Sequence, residues 1–331
     1  MIWLQFLTTA LVIVLAGMRL ARYGDILGEK SGLGRSWIGL VLVAATTSLP
    51  ELFTGFGATA LAPLPNIAVG DVLGSCMFNL LILSLMDAVQ PEPLSTRAHQ
   101  GHALSIGFGL VLIGIAGLGL LGNSRFPALG WVGLYSPALI VVYLVSMRVI
   151  FTHERRRRAR ETQEVAEELH YAAIPMRKAA LHYAGAAVFV VGAALWLPRL
   201  GAELAHQTGL GEAFVGSLFI AITTSLPEIV VSLAAVRIGA IDLGIANVLG
   251  SNLFNLLILA LDDVFYRQAP LLSAADASHG VTILGVVMMN ALFLIGLTYR
   301  VMTKRFAVAW DTGTMAAVYV SAVVLGYVLR G

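Results

Sequence analysis

The sequence is poor in charge and in cysteine. Only 12% of its 331 residues are Asp, Glu, Lys or Arg, while 58% are apolar or aromatic. Soluble domains carry about 25% charged residues. A water-soluble globule could not cover its surface with so little polarity, and a disordered chain is excluded on the same ground. The single cysteine, Cys76, rules out an intrachain disulfide and a thiolate metal cluster. The zinc-hydrolase pattern HExxH is missing, and the seven histidines lie mostly in or beside connections, where no site is proposed for them. Neither sign of charge dominates: 21 basic against 19 acidic residues leave +2, which says nothing about nucleic acid. The first apolar run, 2–20, has no basic leader and no small-residue cleavage site, so it reads as a retained span.

What the chain has is hydrocarbon, with a mean hydropathy of +0.85. At about 20 apolar residues per crossing, it divides into ten spans: 2–20, 36–62, 66–86, 102–121, 128–150, 177–197, 212–236, 241–261, 279–299 and 307–329. Only helices satisfy their own backbone in lipid at this length, and the alternating ten-residue pattern of a barrel is missing. The expected fold is an all-α membrane protein of ten transmembrane helices. Counted in alternate connections, 17 of the 21 Lys and Arg fall on one side, leaving Arg125, Arg199, Arg267 and Arg330 on the other. The positive-inside rule then puts both termini outside and the connection 151–176 in the cytoplasm. That connection, with its run HERRRRAR followed by an acidic stretch, reads as a topology anchor against anionic lipid. A nucleic-acid or regulatory-partner site is the alternative, and the connection is too short for a folded domain.

Two segments resemble each other. TTSLPE occurs at 46–51 and 223–228, VLGS at 72–75 and 248–251, and FNLLIL at 78–83 and 254–259, so the repeats run over 40–83 and 217–259. Each covers the second and third spans of a five-span half, 1–150 and 177–331. An odd number of spans per half turns the second half upside down. Inverted repeats of this kind place a substrate site at the midplane where the halves meet.

The repeated residues have a definite chemistry. Glu51 and Glu228 sit mid-span, where an ionisable group costs at least about 2.5–3.5 kcal/mol on insertion scales. No Lys or Arg lies at that depth, so a proton or a bound cation must balance them. Pro50 and Pro227 remove an N–H and clash with the carbonyls of Thr46 and Thr223, which opens the helix there. Carbonyls of Ala44–Thr47 and Ala221–Thr224 and hydroxyls of Thr46, Thr47, Ser48, Thr223, Thr224 and Ser225 crowd the same turns. Carboxylate, carbonyl and hydroxyl oxygens suit hard cations such as Ca²⁺ and Na⁺. In the next span Ser75 and Asn79, and likewise Ser251 and Asn255, lie four apart on one face, completing the site from the side. Gly74 and Gly250 allow close helix approach. Asp71, aligned with Asn247, takes either an ion-access or coupling role or a helix-end polar contact. Cys76 aligns with Asn252 and reads as a buried thiol.

At these residues the chain resembles the Ca²⁺:cation antiporters, and within them the prokaryotic sodium/calcium exchangers: TTSLPE with VGDVLGSCMFN, then TTSLPE with IANVLGSNLFN. The resemblance implies that Glu51 and Glu228 match the family's central acids. By the same match, Ala44, Thr47, Ser48, Ala221, Thr224 and Ser225 supply carbonyl and hydroxyl ligands, and Ser75, Asn79, Ser251 and Asn255 flank them. It implies one Ca²⁺ site overlapping several Na⁺ sites. No cofactor is expected beyond the transported Ca²⁺ and Na⁺; the expected partners are the lipid bilayer and those ions, without nucleic acid, and a monomer is compatible with the sequence, which leaves the oligomeric state open. The lack of a signal-peptide pattern at 2–20 and the short connection 151–176 point to a prokaryotic plasma membrane. There are departures: Thr46 and Thr223 replace a common glycine, Asp71 a common Asn, and Cys76 the Asn of a GSN triplet. Asn255 stands where potassium-dependent exchangers carry an acid, and SLPE stands where proton-coupled exchangers carry a GNAxE-type motif. The expected activity is therefore Ca²⁺/Na⁺ antiport, with H⁺ coupling or another divalent cation as the alternative. An intramembrane enzyme has no nucleophile–base pair here, and a channel has no need of a duplicated carboxylate.

Overall fold

The computed structural model describes residues 1–30, 44–122, 125, 127–161, 174–304 and 307–329, without the side chains of 28–30 and 157–161. Residues 31–43, which include the first part of the expected second span 36–62, and 162–173 of the expected cytoplasmic connection lie outside the described residues. Ten helices organise the rest: α1 Ile2–Lys30, α2 Leu49–Phe56, α3 Pro65–Ala88, α4 His102–Gly122, α5 Tyr135–Glu161, α6 Met176–Thr208, α7 Leu226–Arg237, α8 Ile241–Phe265, α9 His279–Tyr299 and α10 Trp310–Val328. Short π-helical turns, Gly57–Leu61 and Gly216–Ile220, follow α2 and precede the helical Ala221–Thr224.

Among the described residues, eight helices are long and apolar enough to cross a membrane. A ninth crossing is the broken pair Glu212–Thr224 and α7, bent by 45°. The expected count of ten therefore stands at eight or nine, because 36–62 is described only from residue 44. Several bounds also move. A two-stranded hairpin, Ala128–Leu129 with Val132–Gly133, occupies the start of the expected 128–150 span, so α5 begins at Tyr135. α5 then continues through the basic run to Glu161, and α6 extends to Thr208 with Pro198 inside it. Polar helix ends outrun an apolar span because water, not lipid, surrounds them.

α3 and α8, the later spans of the two repeats, form the centre. Their apolar windows are 94% and 72% buried, against 22–50% for the other long helices. α4, α5, α9 and α10 pack around them on one flank; α1, α6 and the broken helices pack on the other. A Cβ on Gly74 of α3 would lie 2.3 Å from the Ser217 carbonyl, so only glycine permits this approach. Its repeat partner Gly250 is less confined, with Ala44 Cβ 3.2 Å from the same point.

Both central helices end on a buried aspartate 176 positions apart. Asp87 accepts the N–H of Leu94 (2.7 Å), the N–H of Ala309 (2.7 Å) and the Thr312 hydroxyl (2.7 Å), and pairs with Lys304 at 3.1 Å. Asp263 accepts the N–H groups of Gly133 (2.9 Å) and Leu271 (2.6 Å) and the hydroxyls of Tyr135 (2.6 Å) and Ser136 (2.5 Å). Each aspartate thus satisfies otherwise orphaned donors at the start of another helix, α10 in one case and α5 in the other.

Candidate ion site at the crossing of the repeats

The two TTSLPE segments break in the same way. Ser48 has φ −86°, ψ 12° and Ser225 φ −88°, ψ 5°, and each is followed by a helix with Pro as its second residue. Proline fits there because the N–H of that position has no intrahelical partner. The carbonyls of Ala44 and Ala221, expected to be freed, are not: they accept the N–H groups of Ser48 (3.0 Å) and Ser225 (3.1 Å). The missing proline N–H acts two residues further on, at Thr46 and Thr223.

The two glutamates are fully buried and reach across to the opposite copy. Ser225 Oγ donates to Glu51 Oε1 at 3.0 Å, and Ser48 Oγ donates to Glu228 Oε1 at 3.3 Å. Ser251 Oγ adds a second, longer bond to Glu228 Oε1 at 3.4 Å. The exchange is reciprocal: each carboxylate is held by the serine three residues before the other. Each leaves its Oε2 buried without a hydrogen-bond partner. Among the described residues, no ion pair reaches either carboxylate.

The flanking residues close around this pair. Thr47 Oγ1 lies 3.3 Å from Ser251 Oγ, and Thr224 Oγ1 lies 3.3 Å from Ser75 Oγ, again reciprocally. Asn79 Nδ2 donates to Asn252 Oδ1 at 3.1 Å, leaving its own Oδ1 unpartnered, and neither polar atom of Asn255 has a partner. Cys76 and Asn252, aligned in the repeat, meet in space: Asn252 Nδ2 donates to the Cys76 carbonyl at 3.0 Å. Thr46 and Thr223 stay at the margin, Thr46 Oγ1 lying 3.4 Å from the Tyr183 hydroxyl and Thr223 bonding the carbonyl of Phe219. Asp71 makes a polar contact inside the site, not at a helix end: Thr224 Oγ1 donates to its Oδ1 at 2.9 Å, while Oδ2 is unpartnered.

Several buried oxygens here therefore lack a protein partner, and among the described residues no Lys or Arg pairs with the two glutamates. Buried polar groups are normally satisfied, so the arrangement is suited to accept positive charge. Among the described residues, no group of three or more His, Cys, Asp or Glu side chains is poised around a metal. The donors are instead two carboxylates supplemented by hydroxyl and amide oxygens, a set suited to hard cations.

Sequence reasoning missed Asp262. It is completely buried and neither of its oxygens has a partner. It lies beside the Asp263 anchor, and a signal was available: Asp87 and Asp263 continue the repeat register four residues beyond FNLLIL.

Known proteins share this fold. The family model described as sodium/calcium exchanger protein matches residues 1–152 and 178–325. The inner membrane protein YrbG of Escherichia coli is 28% identical over 254 residues, covering 75% of each chain. Among solved structures, an H⁺/Ca²⁺ exchanger CAX superposes with a TM-score of 0.70 at 14% identity, covering 99% of this chain and 86% of that one. The sodium-calcium exchanger NCX_Mj superposes with a TM-score of 0.61 at 18% identity, covering 97% and 98%. The matched family and the two solved structures are ion exchangers, not enzymes. With its helical membrane architecture and a family match over most of its length, this chain belongs to the sodium/calcium exchanger protein family.

Proposed function

We propose that the protein is a secondary antiporter that exchanges Ca²⁺ for Na⁺ at the Glu51–Glu228 pair. The observation that carries this reading is the reciprocal bonding of Ser48 to Glu228 and Ser225 to Glu51, with one oxygen of each carboxylate left over. Two carboxylates carry −2. One Ca²⁺ neutralises them, and so do two Na⁺. A third Na⁺ makes the loaded site +1, and moving that charge is worth about 2.3 kcal/mol per 100 mV. Both ions compete for shared oxygens, and the empty, doubly charged site crosses poorly, which couples the two fluxes. Thr47, Ser48, Thr224 and Ser225 offer hydroxyls, Ala44 and Ala221 offer carbonyls once their serine N–H bonds relax, and Ser75, Asn79, Ser251 and Asn255 close the sides.

The halves 1–150 and 177–331, joined through 151–176, are read as inverted five-helix units that rock about this site. Ten spans with both termini outside, in the inner membrane of a prokaryote and as a single chain, complete the reading. Asp71 is assigned an ion-access role, since its second oxygen is unused beside Thr224.

A second reading, H⁺-coupled Ca²⁺ exchange, is favoured by one observation: the H⁺/Ca²⁺ exchanger superposes with a TM-score of 0.70, against 0.61–0.64 for NCX_Mj. Ca²⁺ flux in proteoliposomes separates the two. An outward Na⁺ gradient at constant pH is expected to drive ⁴⁵Ca²⁺ uptake, independently of K⁺. Uptake driven by a pH jump without Na⁺, and none driven by Na⁺, would overturn the Na⁺ reading in favour of H⁺.

A further inference from the structure

The two ends of the ion site are not equivalent. At the end where α2 leads into α3, Asp262 of α8 rests against Gly55 of α2, one helical turn beyond Glu51. A Cβ on Gly55 would lie 2.3 Å from Oδ2 and 2.5 Å from Oδ1 of Asp262, so glycine is what gives the carboxyl room. Both oxygens are buried and unpartnered, as are Thr54 Oγ1 next to Gly55 and both polar atoms of Asn255, two helical turns before Asp262 on α8. At the other end the aligned position is Met86, whose methyl group fills the space beside Gly244.

We propose that Asp262 is a proton-binding carboxyl, lying outside the repeated motifs and on the α2–α3 side of the ion site. An ionised carboxylate to which no described protein group donates, in a fully buried place, is far costlier than the neutral acid. Na⁺ or Ca²⁺ would demand several more oxygens, whereas a proton needs one. On the packed elements, Arg237 of α7, Asp242 of α8 and Asp87 of α3 stand at the far end of α8, where Met86 meets Gly244; the charged groups on the near side are Asp263 on α8 itself, Asp71 on α3, Glu51 on α2 and Glu228 on α7. The apolar stretches of α4 and α5 and the turn Gly57–Leu61 bring no charge to this depth. Arg199 of α6 is exposed and lies over the Trp196 ring. The step is carboxylate plus H⁺ from water giving the acid, and its reverse when the path on that side opens.

The binding step is independent of the antiport reading; only its effect on transport rests on that reading, so two measurements are needed. The first is infrared difference spectroscopy on the full chain in lipid, at saturating Ca²⁺ so that Glu51 and Glu228 stay ionised. A protonated-carboxyl C=O band is expected in the wild type, absent in Asp262→Asn and restored in Asp262→Glu. Gly55→Ala, which crowds the carboxyl, is expected to shift the band, and this second variant serves if Asp262→Asn fails to fold. The second measurement is ⁴⁵Ca²⁺ uptake against pH at the face onto which the α2–α3 end opens, where Asp262→Asn is expected to flatten the profile. An unchanged band in Asp262→Asn, or in Gly55→Ala if the former does not fold, overturns the proposal whatever the flux. An Asp262-dependent band in a protein that moves no Ca²⁺ upholds the proton site and overturns the exchange reading alone.

Discussion

The two ends of the ion site are built from one repeated plan and finished differently. At the α2–α3 end stand Asp71, Gly55 and Asp262. The aligned residues at the α7–α8 end are Asn247, Ser232 and Met86, none of them ionisable, and Asn247 Nδ2 donates to Ser232 Oγ at 3.3 Å. The centre is nearly symmetric, with matching serine–glutamate and threonine–serine contacts in both directions. Under the proposed exchange, symmetry at the centre would present one ion set to either side. Asymmetry at the flanks lets the two sides handle that ion set differently.

The largest effect tests the shared centre. Glu51→Gln and Glu228→Gln are each expected to reduce ⁴⁵Ca²⁺ uptake into Na⁺-loaded vesicles to background, because the site then carries half its charge. Near-wild-type uptake by both variants would refute the assignment, and loss in only one would mean the centre is less symmetric than its contacts.

The anchors at the ends of α3 and α8 come next. Asp87→Asn removes the charge that Lys304 pairs with in a mostly buried place, which typically costs about 3–5 kcal/mol. Asp263→Asn has no cation to strand and weakens charge-assisted hydrogen bonds worth about 1.5–3 kcal/mol. Thermal unfolding in detergent should therefore show Asp87→Asn as the less stable variant, and the reverse order would show that Lys304 adds nothing.

Gly74 and Gly250 sharpen the comparison in the packing. Gly74→Ala forces a methyl into the Ser217 backbone and should cost about 1–3 kcal/mol, read as a lower melting temperature. Gly250→Ala has only the Ala44 methyl to displace and should cost less. Equal losses would mean that the close approach at Gly74 is relieved elsewhere.

Asp71→Asn is the mildest change, since it makes one end resemble the other at this position while keeping an acceptor for Thr224. Transport should persist with a several-fold change in the Na⁺ concentration for half-maximal Ca²⁺ release. An unchanged Na⁺ dependence would reduce Asp71 to a packing contact.

Much of this plan was legible in the sequence for physical reasons. Apolar length gives membrane helices directly, and a duplicated TTSLPE gives a duplicated break, because proline cannot supply the N–H that a continuous helix requires. The approach of Ser48 to Glu228 was foreseeable only as a meeting of two copies; its reciprocity needed three dimensions. The bonds retained by the Ala44 and Ala221 carbonyls were not legible, since one linear pattern fits a break placed at any of several successive carbonyls. Asp262 went unread because its unusual state depends on Gly55, some 200 positions away in the chain, and a glycine in an apolar span looks like ordinary packing. The hairpin 128–133 was hidden by its own apolar residues, which continue the hydropathy of α5 without its helical geometry.

Cys76 sits where α3 crosses α8, facing its own repeat counterpart, and it is the sole thiol of the chain. Nature has thereby left a chemical reporter near the axis of the machine. A membrane-impermeant sulfhydryl reagent can touch that atom only through an open vestibule, so the labelling rate from each face reads out which way the protein stands, without an engineered probe.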